Sequence, residues 1–383
     1  MSEIRVDSIG NESNTGGPVL SGITTFSGQQ YFIPPKGTTA ERPSDCPPGS
    51  IRFNTDSAHL EYWNGEVWLE FEASSEELGD QNQTNSAGGT GTRAIFAGGY
   101  TSPSPRTDID YVTISTLGNA QDFGDLSTAG AYRTGASSST RGIFFNGQNT
   151  TGIEFVTISS TGSAASFGTA DNDYNQAASC SNETRGFRAG GSDAGVTYNN
   201  IYYVTIASTG TFNDFGDISN PTQGRLTFTG LNSSVRGVFA GGRSVPSAPA
   251  ETNIIDYITM SSTGNTQDFG DLTDPRRGLA SACNSTRGVF AGGNPNPGNT
   301  NLIDFITIAS TGNAQDFGDL AVASGSMHQG LASSPTRGLF QQGNPSAIEF
   351  ITIPTTGNAQ DFGDTVNASR IAMGAVSNGH GGL

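Results

Sequence analysis

Residues 286–293 read Thr-Arg-Gly-Val-Phe-Ala-Gly-Gly, residues 303–308 read Ile-Asp-Phe-Ile-Thr-Ile, and residues 310–319 read Ser-Thr-Gly-Asn-Ala-Gln-Asp-Phe-Gly-Asp. This three-part pattern occurs six times in the chain of 383 residues. A phenylalanine near the end of each copy recurs at a similar spacing. The opening arginines are 48, 44, 51, 51 and 50 residues apart, at Arg93, Arg141, Arg185, Arg236, Arg287 and Arg337.

Each copy predicts four short strands. Residues 287–293 form a strand stopped by a glycine pair, residues 303–308 are rich in β-branched and aromatic residues, and residues 314–320 form a third strand. A fourth segment of small residues, such as 278–284 or 330–334, precedes each arginine. We label these strand A (small residues), B (the Arg-Gly strand), C (Ile-Asp-Phe) and D (Asp-Phe-Gly-Asp). A repeat of roughly 40 to 50 residues with short strands and glycine-rich turns is typical of the blades of a β-propeller.

The ends of the repeat region predict how the blades close. The first copy has no convincing strand A before Arg93, whereas residues 370–377 form a strand A after the sixth copy. If this last strand pairs with the strand that begins at Arg93, no sheet edge stays open. The sequence therefore predicts an all-β fold in which residues 92–383 are a six-bladed propeller, closed by a C-terminal strand innermost in blade 1.

Residues 92–379 resemble the kelch family of β-propellers. The resemblance rests on glycine pairs followed by an aromatic residue in strand C, as in Gly98, Gly99 and Tyr111, or Gly292, Gly293 and Phe305. Two copies depart from it, with Asn146 and Gln342 in place of the first glycine, and the family's later tryptophan is replaced by the phenylalanine of strand D. The resemblance implies the fold and not any particular partner of that family.

The N-terminal region differs in composition from the repeats. Residues 1–33 are an extended, β-prone segment, residues 34–72 a small β-hairpin module with a turn at Asn64 and Gly65, and residues 73–91 a polar linker. Residues 49–56 and 59–68 resemble a module that recurs in tail fibre and other virion proteins of bacteriophages. Residues 4–9 are similar to the starts of structural proteins of marine cyanophages. These resemblances imply a virion protein, with residues 1–33 docking on the particle and the propeller displayed.

Composition excludes several classes of protein. The chain has 35 acidic and 18 basic residues, a net charge of −17, and this disfavours nucleic acid as a partner because phosphate binding needs clusters of Lys and Arg. No secretory signal and no stretch of roughly 20 apolar residues is present, so no membrane insertion is expected. The three cysteines, Cys46, Cys180 and Cys283, imply no disulfide framework.

The residues of catalysis are poorly supplied. Histidine occurs only at His59, His328 and His380, in unrelated contexts, so neither a transition-metal site nor a cofactor is expected. The acids that stand out are repeated from copy to copy, and a repeated residue more often serves the fold than one active site. A polysaccharide depolymerase with two placed carboxylates stays open as an alternative to a non-enzymatic protein.

The repeated arginines and the aspartates of strand D predict structural contacts. Strands B and D place them at the same end of a blade, which suggests Arg-to-Asp contacts within or between blades. Copy two has Ser166 in place of the aspartate, so Arg141 needs another partner. A Ca²⁺ ligand role for the acids is the minor alternative. The aspartates concerned are Asp122, Asp214, Asp268, Asp316 and Asp361.

Recognition is expected where the copies differ. The B–C connections vary in length and are dense in Pro, Asn, Ser and Tyr, and they share one face with the D–A connections, which carry Arg276, Arg277 and His328. Asn, Tyr and Arg can hydrogen-bond and stack against sugar rings, although solvated loops without a ligand would look the same. The candidate residues of this face are Tyr100, Arg106, Tyr198, Arg243, Asn296 and His328.

The sequence thus predicts a non-enzymatic structural protein of a tailed phage, a tail fibre or appendage that presents a propeller to a host-surface glycan or protein. It would be synthesised in the host cytoplasm and located in the virion. Its expected partners are other virion proteins through the N-terminal region, the host surface, and further copies of itself, with a trimer favoured. The alternative is a decoration protein of the head, collar or baseplate with a purely structural role.

Overall fold

The chain divides into two compact units, Met1–Ser75 and Glu76–Leu383. The computed structural model describes residues 34–57, 59–70, 92–219, 224–244, 251–325, 327, 330–342, 346–367 and 369–383. The predicted docking segment 1–33 and linker 73–91 lie outside this range, as does His328. The described residues form an all-β structure without an α-helix, built of small and mostly antiparallel sheets.

The first unit contains one four-stranded sheet in the order β1-β2-β3-β4. Its strands are β1 (Lys36–Gly37), β2 (Ile51–Asn54), β3 (His59–Trp63) and β4 (Trp68–Glu70), with a 3₁₀ turn at Thr39–Glu41. Strands β2, β3 and β4 are antiparallel, and β1 pairs with β2 in parallel. The turn between β3 and β4 lies at Asn64 and Gly65, as predicted. Asn64 Oδ1 accepts hydrogen bonds from the N–H groups of Glu66 and Val67, both at 2.8 Å.

This sheet buries charged side chains on one face and exposes apolar side chains on the other. One face buries Glu61, which binds Arg42 Nη2 at 2.6 Å and Arg52 Nη1 at 3.3 Å. Burial alone would raise the pKa of Glu61, but hydrogen bonds from Arg42 and Asn54 and the two nearby guanidinium charges outweigh burial and lower it. The other face carries apolar side chains in register and leaves several of them exposed, including Ile51, Leu60 and Leu69. The unit therefore buries an ion network and presents apolar surface.

The described part of the second unit contains six repeat sheets and two short hairpins in the B–C connections, Tyr100–Thr101 with Ser104–Pro105 and Ser192–Asp193 with Val196–Thr197. Sheets 1 to 5 have the order A-B-C-D predicted from the repeat, and strand A of sheet 1 is the C-terminal strand. In sheet 6 only strands B, C and D are formed, with one bridge, from Ser333 to Gly338, where strand A was expected. The strands are Gly374–Ser377, Arg93–Ala97, Asp108–Thr113 and Gln121–Asp125 in sheet 1; Gly135–Ser137, Arg141–Phe144, Gly152–Thr157 and Ala165–Thr169 in sheet 2; Ala178–Ser181, Arg185–Ala189, Asn200–Thr205 and Asn213–Asp217 in sheet 3; Thr229–Asn232, Arg236–Ala240, Ile254–Thr259 and Gln267–Asp271 in sheet 4; Ala280–Cys283, Arg287–Ala291, Leu302–Thr307 and Gln315–Asp319 in sheet 5; and Arg337–Gln341, Ala347–Thr352 and Gln360–Asp364 in sheet 6.

The apolar core lies between the sheets. Each of the buried clusters in the described residues combines side chains of two neighbouring sheets, because strands B and C bury residues on both of their faces. One further cluster joins sheets 6 and 1 through Phe350 and Phe362 on one side and Phe96 and Ala94 on the other. Sheet 1 thus packs against both sheet 2 and sheet 6.

The repeated arginines have a different partner from the one that the sequence suggested. Each donates from Nη1 to a backbone carbonyl at the end of strand C in the next sheet, as Arg93 does to Ile158 at 3.0 Å and Arg337 does to Ile114 at 3.0 Å. The same guanidinium lies over the aromatic ring of strand C in its own sheet, 4.4 to 4.9 Å from the ring centroid. The expected ion pairs with Asp122, Asp214, Asp268, Asp316 and Asp361 are not formed among the described residues, where these aspartates lie exposed at the start of strand D. The aromatic ring and the neighbouring carbonyl together take the positions that the carboxylates were expected to fill.

The rest of the repeated pattern is explained by contacts between strand D and the C–D turn of the next sheet. Gly312 donates its N–H to Phe269 O at 2.7 Å, and Asn313 Oδ1 accepts the N–H of Asp271 at 3.1 Å. Gly270 has φ +146°, and a Cβ there would lie 2.5 Å from Gly312 O. A side chain at this position would displace the neighbouring turn, so the glycine of Asp-Phe-Gly-Asp and the Gly-Asn of the turn recur together.

Candidate functional site

The B–C and D–A connections meet on one face of the second unit, which we call the loop face. In sheets 1 to 5, the first residue after the glycine pair, or after Asn146 and Gly147 in sheet 2, forms a backbone bridge to the D–A segment that leads into its own sheet. These bridges hold the connections side by side although residues as different as Tyr, Ser, Arg and Asn occupy the equivalent positions. They are Tyr100 with Ile371, Gln148 with Ala131, Ser192 with Asn175, Arg243 with Leu226, and Asn294 with Arg277.

Buried ion pairs join the D–A segments of this face to strand C. In sheet 4, Arg225 Nη2 lies 3.1 Å from Asp256 Oδ2, with both side chains at most 2% exposed. Burial raises the pKa of Asp256 to about 6 and lowers that of Arg225, because removing each group from water disfavours its charged form. The acid is always the second residue after the start of strand C or its equivalent, and the arginine comes from the D–A segment. The other pairs are Arg133 with Glu154, Arg276 with Asp304, and Arg370 with Asp110.

Sheet 3 replaces the ion pair by aromatic contacts. Tyr202 occupies the position of the acid, and the buried guanidinium belongs to Arg188 of strand B. This group lies 3.8 Å from the centroid of Tyr174 and donates to Gly190 O at 2.5 Å. Burial lowers the pKa of Arg188 to about 9. The Arg188 Nε and Nη1 atoms have no hydrogen-bond partner, but the side chain is fully buried and does not reach the surface of the face.

The inner edge of the face consists of residues in the left-handed conformation. Tyr132, Gln176, Thr227 and Ala372 occupy equivalent positions before strand A, with φ of 57°, 59°, 57° and 56°. This conformation lets the N–H of one segment donate to the carbonyl of the preceding one, as Thr227 does to Gln176 at 2.8 Å and Gly278 does to Thr227 at 2.7 Å. Non-glycine residues in this region carry a cost in free energy and are concentrated at binding and catalytic sites.

A cavity of about 230 Å³ opens above this inner edge. Its lining is polar and comes from the D–A segments and B–C connections of several neighbouring sheets. The lining residues with polar side chains are Tyr132, Gln176, Thr227, Arg243, Arg277 and Asn294.

The cavity carries positive charge on a strongly acidic chain. Arg277 Nη1 binds Glu251 Oε1 at 2.6 Å, whereas Arg243 forms no ion pair in the part of the chain that the structure describes. Arg243 Nε is buried and has no hydrogen-bond partner. Two guanidinium groups face one carboxylate, so the lining has a net positive charge.

The opposite end of the A strands is closed by the C-terminal residues. His380 Nδ1 accepts from Gly382 N and from Asn232 Nδ2, both at 3.1 Å, so the ring proton lies on Nε2, which is 3.2 Å from Ser137 O. Burial lowers the pKa of His380 to about 4, and the ring is neutral at neutral pH. The C-terminal residues therefore cover the ends of these A strands that lie away from the cavity.

The structure brings only part of the predicted recognition set to this cavity. Arg243 lines it, and Tyr100 lies on the same face beside Ile371. Arg106 is engaged by Asp108 at 2.7 Å, Tyr198 packs its ring against Tyr174, and Asn296 is exposed in its own connection. Arg276, expected on the loop face, is instead fully buried in an ion pair with Asp304. Its neighbour Arg277 lines the cavity.

Sequence reasoning missed most of the lining. Tyr132, Gln176 and Thr227 precede strand A by two or three residues, where nothing in their chemistry is repeated. The available signal was positional, because each stands at the same distance from the next repeated arginine, nine residues before Arg141, Arg185 and Arg236. Variable residues at a fixed place in a repeat mark a surface that the repeat itself does not need.

The described residues contain neither a metal-type cluster nor a membrane-spanning helix. No group of three or more His, Cys, Asp or Glu side chains could hold a metal ion there. None of the helical segments there has the length and hydrophobicity to cross a bilayer. No protein-family model matches the chain, and no curated protein is significantly similar to it.

Proposed function

We propose that the second unit is a six-bladed propeller, closed by pairing of the C-terminal strand with the strand that begins at Arg93. Two observations support this arrangement. The apolar clusters link each sheet to the next and link sheet 6 to sheet 1. The arginine contacts follow the same cyclic order, ending with Arg337 on the carbonyl of Ile114. An experimental structure with a linear row of sheets would refute it.

We propose that the chain is a non-enzymatic virion protein of a tailed phage, a tail fibre or appendage whose propeller binds a glycan on the host surface. The observation that carries the binding role is the polar cavity, which combines amide, hydroxyl and guanidinium groups on the face where the copies differ. Such groups pair with the hydroxyls and ring faces of sugars. The virion role is supported by the resemblance of residues 49–56 and 59–68 to phage virion modules.

The experiment compares binding of the purified full chain with host cells and with their isolated surface polysaccharide. Saturable binding that Arg243→Gln weakens supports the proposed role. A chain that binds neither, but is found on the head, collar or baseplate of intact particles, is a structural decoration protein. Release of reducing sugar from the polysaccharide would make it a depolymerase and would contradict the non-enzymatic assignment.

We propose further that the first unit attaches the chain to other virion proteins and that copies associate, with a trimer favoured. The apolar face of its sheet supports an association surface, because Ile51 is 50% and Leu60 41% exposed in a unit too small to form a large core. Light scattering of the full chain gives the number of copies. Leu60→Lys should lower that number; a wild-type monomer would refute the self-association and leave the face to other virion proteins.

A further inference from the structure

We infer that the cavity on the loop face selects a sugar that carries a carboxylate, with Arg243 as the group that binds the carboxylate. This deepens the proposed glycan-binding role and rests on it for the biological source of the ligand. The chemical claim, that the cavity prefers a singly charged acidic sugar to its neutral counterpart, is testable without the host.

The charge of the lining sets the class of ligand. Arg277 already has Glu251 as its partner at 2.6 Å, so one guanidinium charge of the pair is neutralised. Arg243 has no carboxylate partner among the described residues and keeps its full charge. A carboxylate supplies one negative charge and two acceptor oxygens, which suit the planar guanidinium fork. A phosphate monoester carries close to two charges and would exceed what the lining compensates.

The remaining lining suits the rest of a sugar residue. Gln176 offers an amide donor and acceptor. Thr227 Oγ1 donates to Leu226 O at 2.7 Å and can still accept from a sugar hydroxyl, and Asn294 Nδ2 keeps one proton after its contact with Asn299. The volume of about 230 Å³ lies below the roughly 300 to 1,000 Å³ of pockets for drug-sized ligands, so it fits one sugar residue and not a long chain. The cavity opens between the D–A segments and the B–C connections, so the ligand enters and leaves from this face.

The position of Arg243 holds it in place for this role. Its backbone forms hydrogen bonds with Leu226 in both directions, at 2.9 and 3.1 Å, and it follows directly after Gly242 with φ 97°. The guanidinium therefore starts from a fixed backbone at the edge of the cavity, and less conformational entropy is lost when it binds a ligand.

The test uses the full chain and saturation-transfer NMR with methyl glucuronide, its neutral counterpart methyl glucoside, and glucose 6-phosphate. The glucuronide should bind at least about tenfold more tightly than the glucoside, and the preference should fall as salt is added. Arg243→Gln should remove this preference. Lys36→Gln, which removes one positive charge from the first unit, should leave it unchanged.

Gln176→Ala is the second variant, in case Arg243→Gln unfolds. Ala372 already occupies the equivalent position with φ 56°, so alanine is compatible with this backbone. It should weaken binding of both sugars several-fold without changing the melting temperature. Equal binding of glucuronide and glucoside, tighter binding of the phosphate, or an unaffected Arg243→Gln variant would each overturn the inference.

The outcome for the proposed function is separate. Host-cell binding that survives chemical reduction of the polysaccharide carboxylates would overturn this inference and leave the glycan-binding role intact. Glucuronide binding in the cavity without any binding to host cells would support this inference and contradict the proposed role in host binding.

Discussion

At the scale of single residues, the repeated arginine joins two sheets with one side chain. Arg236 lies 4.7 Å from the centroid of Tyr257 in its own sheet and donates to Ile308 O of the next sheet at 3.0 Å. A lysine ammonium group could not form both contacts equally well, because only the planar guanidinium can stack on a ring while it donates hydrogen bonds in its own plane. This explains an arginine, and not a lysine, at the start of all six copies.

We therefore expect Arg236→Ala to lower the free energy of unfolding by about 2 kcal/mol, from a charged hydrogen bond and a cation–π contact that are both lost. Asp268→Ala, in the exposed residue that the sequence pairs with this arginine, should change it by less than about 0.5 kcal/mol. Denaturant titration of both variants at pH 7 measures the difference. Equal losses for the two variants would favour the Arg-to-Asp contact and contradict the structure.

The buried ion pairs mark where reasoning from the sequence stopped short. The acid in strand C, such as Asp256, stands between apolar residues in the repeated pattern and so needed a buried partner. That partner, Arg225, lies 31 residues earlier in the chain. The repeat gave the strand positions, but a contact of this kind depends on which side chain of the irregular D–A segment turns inward, and no local pattern encodes that.

At the scale of elements, the C-terminal segment from Asn378 to Leu383 is held mainly by one buried imidazole. His380 accepts and donates hydrogen bonds with three different sheets, through Ser137, Ser181 and Asn232. The glycines around it are required by space, since a Cβ at Gly381 would lie 2.1 Å from Asn284 O. The sequence suggested only a short tail after the last strand, because small residues beyond a strand carry no sign of burial.

The segment should loosen in acid. The pKa of His380 falls from 6.5 to about 4 on burial, so the detached segment binds a proton more readily than the docked one between these values. Docking is therefore fully favourable above pH 6.5 and weakens as the pH falls towards 4, by up to about 3 kcal/mol. Digestion by a carboxypeptidase, normalised to a free peptide of the same sequence, should accelerate from pH 6.5 to 4.5.

His380→Gln is the matched variant for this prediction. Glutamine keeps a donor and an acceptor but does not titrate, so its digestion rate should not depend on pH in this window. The same acceleration in both proteins would assign the effect to another group and contradict the role of the imidazole.

Across the second unit, residues that are the same in every copy and residues that differ between copies have different positions. The constant arginine and glycines form contacts between neighbouring sheets, and the variable residues line a cavity on one face. The six copies and their strand order followed from the repeat, as did the strand that pairs with Arg93. The shape of the cavity did not follow, because it depends on how the D–A segments of several sheets meet, over separations of a whole repeat or more.

The pairing of the two ends predicts the effect of truncation. A chain that stops at residue 369 loses strand A of sheet 1, which pairs with Arg93–Ala97, and loses the Arg370 partner of Asp110 at 2.6 Å. It also removes Val376 and Met373 from the clusters on the two sides of sheet 1. The exposed backbone of strand B and an unpaired buried carboxylate should together abolish cooperative unfolding of the second unit.

Deletion of Leu383 alone, which is 38% exposed, should leave the unfolding transition in place. A synthetic peptide of residues 370–383 added to the truncated chain should restore the transition, because the peptide supplies the missing strand without a covalent link. A truncated chain that unfolds with the midpoint of the full chain would mean that the C-terminal strand is not needed to complete sheet 1. Aggregation of the truncated chain that the peptide prevents would instead identify the open edge of strand B as its cause, since an unpaired strand is a template for other chains.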